Sequence, residues 1–279
     1  MNKILGIEYG RGCLATAIDG GCAHAPAAVK EMFPNADWTM VTADPFDAEK
    51  CAADRFGENF EIQTKIYNAT PRGTRHVMIG GDHSVNFGHF VALADEMADT
   101  DLCLVYIDAH LDIHTPESSR AQASGAPHGT NVRADLGTGD ARWLGLCQKC
   151  PALKPENVFF LGTRDYEPAE IEFATAQNIF IRRPAELQTP SDWADAVRDI
   201  RARIGARPFV VSFDFDAIDP TVFHDVLVPA AGGISMAAAE YLVNAFRDAY
   251  SFEFVEYAPS GDAASAAIVQ KLVGMVVNA

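Results

Sequence analysis

The segment DAHLD at positions 108–112 holds residues whose types and spacing point directly to chemistry. It follows an apolar run that ends at Ile107. If the backbone stays extended beyond that run, side chains at every second position face one way, so Asp108, His110 and Asp112 would converge. One imidazole and two carboxylates suit a hard or borderline divalent ion. The segment therefore predicts part of a metal site.

Two further segments place similar residues directly after apolar runs. SFDFDAIDP at 212–220 follows the run 209–211, and the same alternation would put Asp214 and Asp216 on one face. GGDHS at 80–84 follows the run 76–79, and its glycines permit a tight turn that directs His83 over the sheet edge. In an open parallel sheet, ligands bind at the carboxyl ends of the strands. We therefore expect the three segments to meet there.

Together the three segments would collect four carboxylates and two imidazoles. So many acids repel one another unless cations neutralise them, and two divalent ions supply four positive charges. Two-metal sites hold their ions about 3.5–4 Å apart and activate a water molecule at neutral pH. The sequence therefore predicts a binuclear site whose ligands are His83, Asp108, His110, Asp112, Asp214 and Asp216.

Eight short apolar runs indicate the elements that position these ligands. Most of the runs do not alternate with polar residues, which is typical of strands covered on both faces in a parallel sheet. They lie at 4–7, 39–42, 76–79, 102–107, 158–161, 179–181, 209–213 and 252–257. Segments at 86–99, 192–204 and 235–250 have the pattern of helices, the last with Ser235 as its cap. The polar stretch 115–143 is predicted to be a long functional or mobile loop. We predict a single α/β domain over residues 1–279, with a mainly parallel sheet between two helical layers.

The composition excludes several classes of function. Lys and Arg total 22 against 38 Asp and Glu, and the formal charge of −16 disfavours nucleic acids and anionic membranes as partners. No apolar run reaches the ~18 residues of a membrane span, and the first ten residues lack the apolar core of a signal peptide, so we expect a cytoplasmic protein. The CxxC pair, Cys147 and Cys150, lacks the second pair that a zinc site needs, so free thiols are expected.

The three metal-binding segments resemble the signatures of the ureohydrolases, a family that includes arginase, agmatinase, guanidinobutyrase and formimidoylglutamase. Similar features extend over the chain: GGCAHAP at 20–26 partly matches the family's N-terminal glycine-rich segment, and GTRD at 162–165 and GGIS at 232–235 match later ones. The resemblance implies an arginase-like three-layer α/β/α fold and a trimeric or hexameric homo-oligomer. It also implies two Mn²⁺ ions per chain, with other divalent ions as alternatives.

The resemblance assigns each ligand a role. One manganese ion would be bound by His83 and Asp112, the other by His110 and Asp216, and both by Asp108 and Asp214. A hydroxide held between the ions would attack the guanidinium carbon of a small-molecule substrate. The products would be urea, or a related amide, and an amine.

Three more residues receive catalytic roles from the resemblance. His128, in SGAPHG at 124–129, matches the family's proton-shuttling histidine. Glu256 matches the carboxylate that pairs with the guanidinium, and a cationic partner would offset the cost of burying a lone acid. Asp219 would lie behind the ligands and fix their geometry.

The substrate segments are most similar to those of arginase. Ser124 belongs to a segment like the arginase substrate loop, and Glu167 matches the acid that meets the substrate α-amino group. His114 stands where arginases have the asparagine that contacts the α-carboxylate, the loop from His114 to Ser124 is longer than usual, and Val228 replaces a threonine. We predict hydrolysis of arginine to ornithine and urea. Agmatine, a guanidino acid or formimidoylglutamate stays open as the substrate.

Two other classes of protein stay open. A deacetylase-like amidohydrolase with one zinc ion would use the same kind of architecture, and the number of bound metals distinguishes it. A metal-binding regulator without turnover is the non-enzymatic alternative, suggested by the changes at His114 and Val228.

Overall fold

The strands form one parallel sheet in the computed structural model, which describes residues 3–13, 20–97, 99–119 and 124–278. The strands are β1 (Lys3–Glu8), β2 (Asp37–Thr42), β3 (His76–Ile79), β4 (Cys103–Ile107), β5 (Val158–Leu161), β6 (Phe180–Arg182), β7 (Phe209–Asp214) and β8 (Ser251–Val255). Their order across the sheet is β2-β1-β3-β8-β7-β4-β5-β6, and each neighbouring pair is parallel. The eight predicted strands are therefore confirmed, with ends that differ by one or two residues.

Burial explains why the apolar runs predicted strands. Each residue of β3, β4, β5, β7 and β8 is buried, whereas the edge strands β2 and β6 are mostly half-buried or exposed. A strand covered on both faces needs apolar side chains at successive positions rather than at alternate ones. The central strands of the sheet are therefore those with the most continuous apolar runs.

Helices cover both faces of this sheet. In the described residues they are α1 (Ala25–Met32), α2 (Ala48–Ala53), α3 (Arg55–Ala69), α4 (Asn86–Glu96), α5 (Asn131–Asp135), α6 (Ala141–Leu144), α7 (Pro168–Ala176), α8 (Pro190–Ile204), α9 (Met236–Phe246) and α10 (Ala263–Val277). Along β4, Val105 belongs to a core cluster with residues of α1, α8, α9 and α10, whereas Leu104 and Tyr106 belong to a second cluster with residues of α4, α5 and α7. The predicted three-layer α/β/α fold is confirmed.

The sequence predicted the helices less completely than the strands. The three predicted helices are α4, α8 and α9, and the hydroxyl of Ser235 caps α9 by accepting the Ala238 N–H. The prediction of one long loop at 115–143 is wrong in part, because a 3₁₀ turn (Pro127–Thr130), α5 and α6 lie within it. These elements are held by buried residues such as Val132 and Trp143 rather than by strong local periodicity. Residues 120–123 of that stretch lie outside the described residues.

The sequence predicted neither a membrane span nor a zinc site at the CxxC pair. Within them, no helix combines the length and the apolar character needed to cross a membrane. Cys147 and Cys150 are free thiols and belong to neither of the two groups of possible metal ligands found in the described ranges.

Candidate metal site

The sheet topology brings the predicted metal-binding segments together. β3, β8, β7, β4 and β5 are consecutive in the sheet and run parallel, so the segments that follow them meet at one edge. His83 follows β3, the segment 108–112 follows β4, and Asp214 ends β7. This edge is the place where open α/β sheets bind ligands.

The first subsite consists of His83, Asp108 and Asp112. The Nδ1 atom of His83 lies 2.9 Å from Asp108 Oδ2 and 3.5 Å from Asp112 Oδ2. The same Nδ1 atom lies 3.0 Å from Asp214 Oδ2. Its other ring nitrogen, Nε2, is 2.8 Å from Ser212 Oγ, so a hydrogen bond orients the ring with Nδ1 toward the carboxylates.

The second subsite consists of Asp108, His110 and Asp216. The Nδ1 atom of His110 lies 3.0 Å from Asp216 Oδ2 and 3.3 Å from Asp108 Oδ1. Asp108 therefore directs one oxygen toward each subsite, which is the arrangement a bridging carboxylate needs. In each subsite the potential ligand atoms lie within 4.8 Å of one another.

Asp214 lies beside the first subsite and caps the turn that carries Asp216. Its Oδ1 accepts the backbone N–H of Asp216 at 2.7 Å, and its Oδ2 points toward His83. The structure thus brings all six predicted ligands together, five of them buried and His110 partly exposed.

The backbone achieves this convergence differently from our prediction of extended chains. β4 ends at Ile107, the Asp108 carboxylate accepts the His110 N–H at 2.6 Å, and Asp112 has a φ of 52°. Asp216 lies in a 3₁₀ turn (Phe215–Ala217) that Asp214 caps. The alternation argument is therefore wrong for both segments, because tight turns rather than continued strands place the side chains.

The turn that carries His83 depends on a close approach between two backbone segments. Asp82 donates its N–H to the carbonyl of Tyr9 at 3.0 Å, and a Cβ atom on Gly81 would lie 1.6 Å from that carbonyl oxygen. Only glycine fits there. The Asp82 carboxylate then accepts the N–H groups of Gly12 and Ser84, which fixes the turn on its other side.

The charges of the site fit divalent cations. Burial, together with the charge of Asp108, raises the pKa of Asp112 to about 7, and burial with nearby acids also raises the pKa of Asp214. Burial lowers the pKa of His83, but hydrogen bonding and charge from Asp108 and neighbouring acids outweigh this and raise it to about 9. Without a cation the cluster must hold protons to limit its own repulsion. The oxygen-rich donor set with two imidazoles is suited to two divalent ions.

We expect metal binding to become stronger as the pH rises. In the metal-free protein, His83 is protonated at neutral pH and must lose that proton to bind an ion. The affinity for Mn²⁺ should therefore increase up to a pH of about 9 and then level off. Calorimetry in buffers of different ionisation enthalpy should detect proton release at pH 7.5, and binding without proton release would contradict this assignment.

The raised pKa of His83 also affects the stability of the metal-free fold. Protonated His83 contributes its full stabilisation at pH values below the unfolded pKa of 6.5, and this contribution is lost as the pH rises through about 9.

Two residues that the sequence did not single out support the first subsite. The ring of Tyr106 stacks on His83 with a centroid distance of 4.5 Å, and its hydroxyl donates to Asp112 Oδ2 at 2.7 Å. Asn131 donates from Nδ2 to the carbonyl of His83 at 3.1 Å and is 3.3 Å from Asp112 Oδ2. A tyrosine within an apolar strand gives no sequence signal for such a role.

Tyr106→Phe should weaken metal binding while it preserves the stacked ring. The variant lacks the hydroxyl that orients Asp112, and loss of such a contact typically costs 10–100-fold in metal affinity. Titration of the metal-free protein with Mn²⁺ measures the effect. Tyr250→Phe is the matched control, because the Tyr250 hydroxyl donates to Glu96 far from the site. Equal Mn²⁺ affinity in Tyr106→Phe and the unmodified protein would show that this hydroxyl does not orient Asp112.

A pocket opens beside both subsites, since its lining includes Asp112 of the first and His110 of the second. Its lining includes the predicted substrate contacts His114, Ser124 and Glu167, and also His128 and Val228. The remaining lining residues are His110, Asp112, Gly129, Asp165, Tyr166 and Glu170. The pocket therefore lies between the metal ligands and an acidic wall.

His128 is placed as a neutral base beside the ligands. Its Nδ1 lies 2.8 Å from the carbonyl of Gly12, which can only accept, so Nδ1 carries the proton and Nε2 keeps its lone pair. Burial lowers the pKa of His128 to about 4. The ring is therefore uncharged at neutral pH and can accept a proton at Nε2.

His114 is tied to the acidic wall of the pocket. Its Nε2 lies 3.2 Å from Glu170 Oε2 and 3.7 Å from Glu167 Oε1, and its Nδ1 is 3.0 Å from Ser118 Oγ. Burial opposes protonation, but Glu170 outweighs it and raises the pKa of His114. Glu167 also accepts the hydroxyl of Ser119 at 3.0 Å.

Two further predicted catalytic residues make contacts outside the two ligand groups. The Oε1 atom of Glu256 accepts the N–H of His83 at 2.8 Å, and its buried Oε2 atom has no hydrogen-bond partner among the described residues. The carboxylate of Asp219 accepts the N–H and hydroxyl of Thr221 at 2.9 and 2.6 Å. The catalytic roles of Glu256 and Asp219 stay predictions.

Comparisons with known proteins agree with this geometry. The family model described as "Arginase family" matches residues 3–277. An arginase of Glaciozyma antarctica (strain PI12) is 28% identical over 208 residues, which cover 72% of this chain and 59% of that protein. "Arginase-2, mitochondrial" of Mus musculus is 28% identical over 248 residues, or 86% of this chain and 68% of that protein. The chain thus spans about three fifths of the length of such relatives.

A solved structure also shares the fold. The structure of an arginase from Bacillus subtilis subsp. subtilis str. 168 superposes with a TM-score of 0.82 at 20% identity, and the superposition covers 99% of this chain and 98% of that one.

Proposed function

This chain belongs to the arginase family, and on that basis we propose that it hydrolyses a guanidino compound at a pair of divalent ions. The observation that carries the proposal is the split of the Asp108 carboxylate, with Oδ2 near His83 and Oδ1 near His110. One carboxylate shared by two ligand groups supports two adjacent ions rather than one.

These distances support the ligand roles that the resemblance to the ureohydrolases implies, with the contact of Asp214 to the second ion resting on that resemblance alone. We propose that His83 and Asp112 hold one Mn²⁺ ion, that His110 and Asp216 hold the other, and that Asp108 and Asp214 contact both. When bound, such a pair of ions supplies a Lewis acid and lowers the pKa of a water molecule for attack at neutral pH. The carboxylate-rich set suits manganese, and other divalent ions are alternatives.

His128 moves a proton in this proposal. Its lone pair at Nε2 can accept a proton and pass it to the departing amine, while Gly12 holds the ring through Nδ1. The net reaction adds one water molecule across the guanidinium C–N bond. The oxygen goes to carbon, and the two protons end on nitrogen, giving urea and an amine.

Arginine is the substrate we propose, with ornithine and urea as products. The curated relatives are named arginases, and Glu167 lies in the pocket wall where an acid can pair with a substrate ammonium group. His114 and Ser124 line the same pocket and offer hydrogen bonds to the other end of the substrate. The acidic wall with Asp165 and Glu170 also favours a cationic molecule.

A substrate panel on metal-loaded protein tests this function. Purified protein reconstituted with Mn²⁺, and separately with Ni²⁺, Co²⁺ or Zn²⁺, should release urea from arginine faster than from agmatine or 4-guanidinobutyrate. Formimidoylglutamate, with formamide as its product, completes the panel, and Asp214→Asn is the inactive control. Lack of product from each compound with each metal would refute the proposal. Faster turnover of another compound would replace arginine as the substrate.

We propose a cytoplasmic homo-oligomer, a trimer or hexamer, with neither nucleic acid nor membrane as partner. The formal charge of −16 supports the exclusion of both anionic partners. Light scattering of the metal-loaded protein measures the oligomeric state, and a monomer would overturn that part.

A further inference from the structure

Arg164 is held by backbone carbonyl groups beside the second subsite. It follows β5, and its Nη2 atom donates to the carbonyls of Asp216 at 2.8 Å and Ala230 at 3.1 Å. Its Nη1 atom donates to Ala217 at 3.2 Å, and its Nε donates to Ala231 at 3.1 Å. One guanidinium thus joins the turn that carries Asp216 to the segment 230–231.

The backbone of the same residue holds the segment after β4. The N–H groups of Arg164 and Asp165 both donate to the carbonyl of Ala109, at 2.8 and 3.0 Å. The N–H of Ala109 in turn donates to Asp216 Oδ1 at 3.1 Å. Ala109 lies between Asp108 and His110, so the contacts of Arg164 reach each residue of the second subsite through the chain or through one hydrogen bond.

The first subsite is supported by a separate set of contacts. His83 is oriented by Ser212, and Asp112 accepts from Tyr106 and Asn131. None of these hydrogen bonds involves Arg164. Asp108 belongs to both subsites, so a change at Arg164 should affect both, but the second more strongly than the first.

The contacts of Arg164 also extend to the wall of the pocket. Val228 lines the pocket two residues before Ala230, whose carbonyl accepts from Arg164. Glu167 lines it three residues after Arg164. Arg164 thus contacts or belongs to the chain segments that carry these two wall residues.

We propose that Arg164 is a positioning residue that aligns the second metal subsite with the substrate wall. The effect of Arg164 on the substrate wall rests on the proposed function, whereas its effect on metal binding can be tested without turnover. A planar guanidinium donates in several fixed directions at once, and a lysine ammonium cannot reproduce that fork. Arg164→Lys should keep the charge and lose the alignment.

Titration of metal-free protein with Mn²⁺ provides the test. In Arg164→Lys one of the two Mn²⁺ binding steps should lose about 10–100-fold in affinity, and the other step should change less. KM for the best substrate of the panel should also rise. Arg164→Gln, which keeps two donors without the charge, is the second variant in case lysine prevents folding. Circular dichroism and the thermal midpoint of each metal-free variant report folding.

Arg75→Lys is the matched control for a purely structural effect. The Arg75 guanidinium also binds carbonyls, those of Ala249 at 2.9 Å and Arg247 at 2.7 Å, but it precedes β3 at the opposite edge of the sheet. The proposal is overturned if the affinities of both Mn²⁺ binding steps are unchanged in the Arg164 variants. It is also overturned if both affinities fall equally while the thermal midpoint falls, since that would show a general loss of structure. If the unmodified protein binds two ions but hydrolyses no guanidino compound, the proposed function is refuted. The proposal for Arg164 is then still tested, because the Mn²⁺ titration compares the two subsites without turnover.

Discussion

Replacing Asp108 with asparagine should abolish turnover and the binding of at least one divalent ion. Each oxygen of this carboxylate faces a different histidine, and the side chain is fully buried. An amide has no negative charge and only one oxygen that can bind a cation. We expect kcat/KM to fall by more than ~100-fold, beyond the 10–100-fold typical of residues that only orient ligands.

The same variant should be less stable than the unmodified protein when both are metal-free. Burial raises the pKa of Asp108, but hydrogen bonds and charge from His110 and His83 outweigh it and lower that pKa, so the ionised carboxylate stabilises the two buried imidazoles. Thermal unfolding with and without Mn²⁺ measures both effects. Asp101→Asn, at an exposed acid paired with Lys154 before β4, is the control and should change neither activity nor metal binding. An Asp108→Asn protein that retains two ions and turnover would remove the basis for a bridging carboxylate.

His128→Asn should separate catalysis from metal binding. The Nδ2 group of asparagine can donate to the Gly12 carbonyl as the imidazole Nδ1 does, but the side chain cannot carry a proton at neutral pH. Loss of a general acid or base typically costs 10²–10⁴-fold, so we expect kcat to fall by about that factor. The number of bound metal ions and KM should stay the same, because His128 lies in the pocket wall and in neither subsite.

Steady-state kinetics and metal analysis of one preparation measure both quantities. His224→Asn is the control, since His224 is an exposed histidine outside the pocket. An unchanged kcat would exclude His128 as the proton carrier. Loss of metal with loss of kcat would instead show that His128 supports the subsites.

The metal site was predictable from the sequence because it depends on the types of the ligands and on their positions directly after strands. Neither depends on the exact backbone conformation that follows each strand. The apolar runs 76–79, 102–107 and 209–213 placed three segments at one edge, whatever conformation followed each strand. That conformation itself was not predictable. The φ of 52° at Asp112 and the 3₁₀ turn at Asp216 are set by contacts with other segments, such as the bond from Ala109 N–H to Asp216.

Residues that act through long-range contacts were missed for the same reason. Tyr106 was part of an apolar run, and its hydroxyl became informative only when the fold placed it against Asp112. The contact of Asp219 with Thr221 was likewise not indicated by its position in a metal-binding segment. The short helices α5 and α6 were missed because tertiary packing, rather than local pattern, holds them.

The most direct test of the account is the number of metal ions bound per chain. Metal-free protein is incubated with excess Mn²⁺, passed through a desalting column and analysed for metal and protein, beside Asp108→Asn. The account predicts two ions per chain in the unmodified protein and one or none in the variant. One ion in the unmodified protein would favour a mononuclear amidohydrolase, and no bound ion would contradict the central claim.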